Sequence, residues 1–260
     1  MKTRYYILIA IASFLFFTLG NVPAAKVISL VQKNAQLPLK FYGVQGSLWN
    51  GGADKVILQN NLQGQPPIDN IQWDINPAML LMARISGEVK GSIKNQNVVG
   101  DISYSAGGTF RASNVRARIE APVVQELAQL PLGELGGVFN INIESFEATS
   151  EGLPKMAATI KWKNAKLTVM ETVELGFIDL QLSTDDSDKL LAKISNTKGQ
   201  LLLDGKANLD SNKAYDLNLR ITPESNVNNN VRQSIALFAK RQSDGSYLVK
   251  RKGNLSELGL

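Results

Sequence analysis

From Arg84 onward the chain carries several short runs in which apolar and polar residues alternate, and no other feature limits its fold as tightly. The runs 85–93, 98–104 and 109–119 each set apolar side chains at alternate positions. That period places them on one face of an extended chain and the polar residues on the other. Such runs recur about every 8–12 residues with Gly or Asn at the joints, which is the pattern of antiparallel strands linked by short turns. Ile71, Trp73 and Ile75 alternate in the same way, and so do Ala207, Leu209, Tyr215, Leu217, Leu219 and Ile221. The fold class that follows is mainly β, a curved antiparallel sheet with a few short helices.

The helices fall where the period changes. Residues 26–39 carry Val27, Ile28, Leu30, Val31, Ala35 and Leu37, spacing that suits a short interfacial helix ending before Pro38. Pro77, after Asn76, can open a helical turn over residues 78–82. Val123, Val124, Leu127 and Leu130 mark a helix over 122–130, closed by Pro131 and Gly133. The polar loop 225–230 can cap a helix over 231–240, and Asp244-Gly245 is a hairpin signal ahead of Tyr247. Pro66-Pro67 breaks the polar loop 59–69. Ile160-Lys161-Trp162 echoes Ile71-Gln72-Trp73, a trace of internal duplication.

The N-terminus reads differently. Lys2 and Arg4 precede fifteen uncharged residues, 5–19, and the uncharged stretch continues through Ala25. Positive charge ahead of an apolar run keeps the leader in the cytoplasm and sends the rest across the membrane. Tyr5 to Ala25 is long enough for one transmembrane helix. It also reads as a cleavable secretory signal with Val22 and Ala24 at the −3 and −1 positions. Both readings export the body of the protein. The chain thus divides into a tail and membrane segment, 1–25, and a β-rich domain, 26–260.

Composition removes whole classes of chemistry. The chain has no Cys and no His. Without them there is no thiol nucleophile, no Cys-ligated metal, no imidazole base and no simple near-neutral pH switch. Set aside Lys2 and Arg4, and 26 basic residues face 23 acidic ones, a balance that gives no nucleic-acid footprint. Asp185, Asp186 and Asp188 cluster without the spacing of a calcium loop, and read as a solvated loop. The glycine pairs at 51–52, 107–108 and 136–137 lack any phosphate-binding context. Ser47 and Ser92 follow glycines but have no elbow motif and no base. Trp73 and Trp162 read as core. We therefore expect no catalytic residues, no metal site, no cofactor and no enzyme.

One stretch stands apart. Residues 43–52 hold four glycines around Leu48-Trp49. Glycine is required where φ turns positive or another surface comes very close. The stretch reads either as a glycine-flanked edge strand whose Trp49 caps the core, or as an interaction surface built from Gly43, Gly46, Leu48, Trp49 and Gly51.

At these residues the chain resembles the type II secretion system protein N family, also called general secretion pathway protein N. The run Gly43-Val44-Gln45-Gly46-Ser47-Leu48-Trp49-Asn50-Gly51-Gly52-Ala53 is similar to the family's Gly-x-x-Gly-Thr-Leu-Trp-Ser-Gly-x-Ala signature, with Ser47 for Thr and Asn50 for Ser. The basic leader and apolar segment ending at Val22-Pro23-Ala24, the pairing of Trp73 with Pro77 and Leu80-Leu81, the 122–131 helix before Gly136-Gly137, and Ile160 with Trp162 and Ala165 follow in the same order. The resemblance implies a single-pass inner-membrane protein with a cytoplasmic N-terminus, an uncleaved anchor and a periplasmic β domain. It implies a non-enzymatic accessory role in moving exoproteins across the outer membrane, with other secretion components as partners. It supplies no catalytic residues. A second reading, an AsmA-like periplasmic protein that binds or moves lipid, fits the same anchored sheet if one face offers apolar side chains to acyl chains.

Overall fold

A computed structural model of the chain describes residues 5–6, 20–34, 39–58, 67–130, 133–169 and 171–254. Most of the expected membrane segment lies outside these residues. So do the end of the first helix before Pro38, most of the proline-broken loop, Pro131 and the tail beyond Asn254. Among the described residues no helix is long and apolar enough to cross a membrane. The protein is mainly β, as its alternation predicts: among the described residues fifteen strands form one open antiparallel sheet. The chain divides into two compact units, Met1–Ser103 and Tyr104–Leu260.

In the first unit helix α1 (Ala24–Asn34) is followed by β1 (Leu39–Tyr42), β2 (Gln45–Gly46), β3 (Asn50–Leu58), β4 (Ile68–Ile75), β5 (Arg84–Ile93) and the start of β6 (Gln96–Ser105). Its strand order is β1-β3-β4-β5-β6, with the two-residue β2 folded onto β3. On β4, Ile71, Trp73 and Ile75 are half-buried while Asn70, Gln72 and Asp74 are exposed, so its period of two is real. Asn76 then stops the strand. Its side chain accepts the Ala78 amide at 3.0 Å, and Pro77, at the first helical position, opens a 3-10 turn over Pro77–Met82. β5 and β6 are joined through Lys94 and Asn95, both at positive φ, the geometry that matches a hairpin's own twist.

The second unit holds β7 (Phe110–Glu120), α2 (Ala121–Leu127), β8 (Glu134–Ala148), β9 (Lys155–Thr168), β10 (Thr172–Thr184), β11 (Leu190–Thr197), β12 (Leu201–Leu209), β13 (Ala214–Pro223), α3 (Asn229–Ala236), β14 (Lys240–Arg241) and β15 (Tyr247–Asn254). Neighbours follow chain order except at the end, where β15 pairs with β13 and the short β14 takes the edge. Register makes the faces chemically distinct. Ile141, Ile160, Leu180 and Ile194 lie opposite one another across four strands, and Leu219 pairs with Val249 on the same face. Stepping one residue along each strand gives Asn142, Thr159, Gln181 and Lys193 on the other face. Helix α3 covers one end of the apolar face, where Ile235 is buried with Leu175, Ile178, Tyr247 and Val249. Burying one such side chain stabilises the fold by about 1.5–3 kcal/mol.

Three boundaries differ from expectation. The helix expected over 231–240 runs instead over Asn229–Ala236, because Asn228 caps it by accepting the Asn230 amide at 3.1 Å. Leu237 turns out to solvent, and Lys240 and Arg241 pair with β15 instead. The Asp244-Gly245 turn therefore joins two strands. The helix expected over 122–130 stops at Leu127, and Gln125 bonds the backbone that leaves it, donating to Gly133 O and accepting from the Leu135 amide. Gly136-Gly137, which the sequence places ahead of a strand over 138–143, does not precede one. It sits inside β8, where Gly137 at φ +102° marks a register shift.

Candidate functional site

Residues 43–52 form a folded joint in the first unit. After β1 the chain turns at Gly43, lays β2 against β3 (Gln45 opposite Gly52, Gly46 opposite Gly51), and reverses over Ser47–Asn50. The Ser47 amide donates to Asn50 O at 2.9 Å, and the Asn50 amide returns a bond to Ser47 Oγ at 2.9 Å. Ser47 is thus committed to the turn. Ser92 is buried and donates its hydroxyl to Asp69 O at 3.2 Å.

Leu48, at the tip of the turn, is held from two sides. Its amide donates to Val22 O at 2.8 Å, and its carbonyl accepts the Trp73 indole N–H at 3.1 Å. Pro23 and Ser47 form a bridge beside it, and α1 packs on β2. Trp49 is half-buried, and its carbonyl accepts the Ile75 amide at 2.6 Å. The chain leaving the N-terminal apolar run is therefore hydrogen-bonded to the first strands within residues 22–23. Satisfying backbone groups in this way adds about 0.5–1.5 kcal/mol for each bond, and losing one partner costs more.

The glycines are explained by their own neighbours. Gly43 has φ +64°, and a Cβ there would run into the Asp54 carboxylate. Gly46 has φ +78°, and its Cβ would stand 2.7 Å from Asn50 O. At Gly51 a Cβ would lie 2.6 Å from Ser47 O, 2.7 Å from Gln45 O and 2.8 Å from the Trp73 ring. The close approach that glycine permits here is that of the chain to itself.

Sequence reasoning singled out Leu48, Trp49 and the glycines but missed Val22, Pro23 and Ile75, which complete the joint. Their contribution is through backbone groups, and these leave no mark in side-chain pattern. Trp73 could have been found, since an indole N–H that is part-buried needs an acceptor. The echo between Trp73 and Trp162 has a geometric counterpart. In the second unit Trp162 donates its N–H to Gly136 O at 2.9 Å, and its ring stacks on Phe139 at 4.7 Å between centroids. Each tryptophan binds a carbonyl at the glycine-rich start of the preceding strand.

The other sequence candidates are used within the fold. Asp185 Oδ1 accepts the amides of Ser187 and Lys189 at 2.9 Å, closing a turn, and Asp188 pairs with Lys155 at 2.8 Å. That pairing holds the Lys155 ammonium above its ordinary range, through its hydrogen bond to Asp188 first.

Fold and joint together define a β-sheet module whose glycine–tryptophan turn fixes the segment arriving from the N-terminus. The chain belongs to the type II secretion system protein N family, whose model matches residues 38–250. It is thus a component of type II secretion, of a family that works with other components of that machinery. No curated protein and no solved structure matches the chain.

Proposed function

We propose that this protein is a non-enzymatic accessory component of the type II secretion machine. In this reading residues 5–25 anchor it in the inner membrane, its N-terminus is cytoplasmic, and residues 26–260 form a periplasmic interaction module for other secretion components. The observation that carries the reading is the bond from the Leu48 amide to Val22 O at 2.8 Å. A domain hung on a loose tether presents every side to its neighbours, whereas one bonded to the residues that leave the apolar run keeps its first strands beside the membrane. The turn after β4 supports the same placement. Leu80, Leu81 and Met82 are all exposed there, with Leu81 92% accessible, in the turn that begins two residues after Ile75, which Trp49 holds. Gly43, Gly46, Leu48, Trp49 and Gly51 then act by setting the shape of this membrane-facing end, and β1, the last strand on this side of the order among the described residues, is where a partner strand can add.

Photocrosslinking from position 49 in intact cells, with alkaline extraction of the membranes, tests this. A crosslink to another secretion component in a carbonate-resistant pellet is the expected result. Release by carbonate removes the anchor. Adducts to its own chain alone remove the interaction role of the stretch.

The apolar face of the second unit favours a second reading, the AsmA-like binding of acyl chains. Ile141, Ile160, Leu180 and Ile194 there are half-buried rather than buried, so they retain surface for an apolar ligand. Lipid co-purifying with the full chain, and lost on Leu180→Glu in a folded variant, would favour it over the interaction module.

A further inference from the structure

The opposite, polar face of the second unit carries an open groove of about 670 Å3 across β10 to β13 and β15. One transverse row crosses it. Gln181 pairs with Lys193, Lys193 with Lys206, Lys206 with Asn218, and Asn218 with Lys250. Lys193 and Lys206 are thus direct cross-strand partners, an arrangement in which like charges destabilise a sheet. Lys193, Lys206 and Lys250 form no ion pair among the described residues. Other lysines of this unit do find acids: Lys252 reaches Asp216 at 2.9 Å and Lys166 reaches Glu174 at 3.2 Å. Within the groove Arg220 is already paired with Asp244 at 2.9 Å. Asp204, the one carboxylate in the lining, lies opposite Arg220 in the register. The net result is a groove with surplus positive charge held at a cost to the sheet.

We propose that this groove binds an extended acidic segment of a partner protein. The distribution of charge decides between a segment and a compact anion. Lys193 and Lys250 are three strand spacings apart, roughly 14 Å, too far for one small oxyanion to meet both. An extended chain sets side chains of one face about 7 Å apart, between the roughly 5 and 10 Å that separate successive lysines, and the long lysine side chains span the difference to alternate carboxylates. The amides of Asn218, between Lys206 and Lys250, and of Gln181, at the end of the row beside Lys193, can bond its backbone, and Leu191 and Leu248 supply apolar contact. The proposal rests on the reading of this chain as an interaction module, and it names the chemistry of one partner.

The test uses the full chain in detergent, with hexaglutamate, hexaglutamine and inorganic phosphate as probes. Saturable hexaglutamate binding that weakens with added salt is expected, with none for hexaglutamine. The Lys193→Gln/Lys206→Gln variant should bind about tenfold or more weakly. A second readout separates a site from surface charge. Without peptide the variant should melt no lower than wild type, because the like-charge pair is gone. With peptide only wild type should gain thermal stability. Phosphate binding as tight as hexaglutamate, hexaglutamate binding unchanged in the variant, or no saturable binding would each overturn the proposal. Should crosslinking from position 49 fail while hexaglutamate still binds, the contact role of residues 43–52 falls and the groove stands; the converse removes only the groove.

Discussion

Gly51 shows what a single position can demand. Any Cβ there meets two carbonyl oxygens and an indole ring within 2.8 Å, and all three belong to the joint that holds Leu48. None of them can yield cheaply, because Ser47 O and Gln45 O are fixed by the turn and the Trp73 ring by its bond to Leu48 O. Gly51→Ala should therefore destabilise the chain by about 1–3 kcal/mol in urea unfolding, the range for forced overpacking. Gly107 is the control. It lies in a glycine pair of similar appearance, yet its Cβ would meet only Ser105 Oγ at 3.8 Å. Gly107→Ala should stay within about 0.5 kcal/mol of wild type, and equal effects at the two sites would refute the account. The sequence showed that residues 43–52 need glycine, since four occur there. It did not show that the crowding comes from the chain itself, because the atoms that crowd Gly51 include a ring 22 positions away.

Among elements, those announced by adjacent residues were legible and those ended by distant contacts were not. Asn76-Pro77 encodes its own turn, and Asp244-Gly245 its own hairpin. The true ends of α2 and α3 depend on Gln125 reaching Leu135 and on Lys240 pairing with Leu248, contacts no local pattern contains. The β14–β15 turn also carries a pH dependence. Asp244 Oδ1 accepts the Ser246 hydroxyl at 2.6 Å and the Ser246 amide at 2.9 Å. These bonds, with Arg220 beside the carboxylate, hold its pKa below the ordinary range. A group whose folded pKa is depressed adds stability above its unfolded pKa, about 4, and loses that contribution as pH falls through the folded value. The urea midpoint of wild type should thus exceed that of Asp244→Asn at pH 7, with the gap closing towards pH 3. A gap that does not change with pH would show that the turn draws nothing from the charge.

At the scale of the molecule, alternation was the readable property and long-range placement was not. Period two says that one face of each strand is apolar, and sequential antiparallel neighbours then follow from short joints. It does not say that β15 enters between β13 and β14, nor that Val22 bonds a residue 26 positions on. What alternation does fix is which of two adjacent residues a sheet can charge. Leu180 lies between Ile160 and Ile194, whereas its neighbour Gln181 lies between Thr159 and Lys193. Glutamate introduced at either position adds the same charge one residue apart, so the two variants compare the two faces. Leu180→Glu replaces apolar contact with a carboxylate at a half-buried position, a loss of about 0.5–3 kcal/mol. Gln181→Glu places the same carboxylate opposite an unpaired ammonium, an exposed pair worth about 0–1 kcal/mol in its favour. Urea unfolding of the two variants should therefore differ in sign as well as in size. Similar losses at both positions would mean that the two faces are not the separate environments that the register sets out.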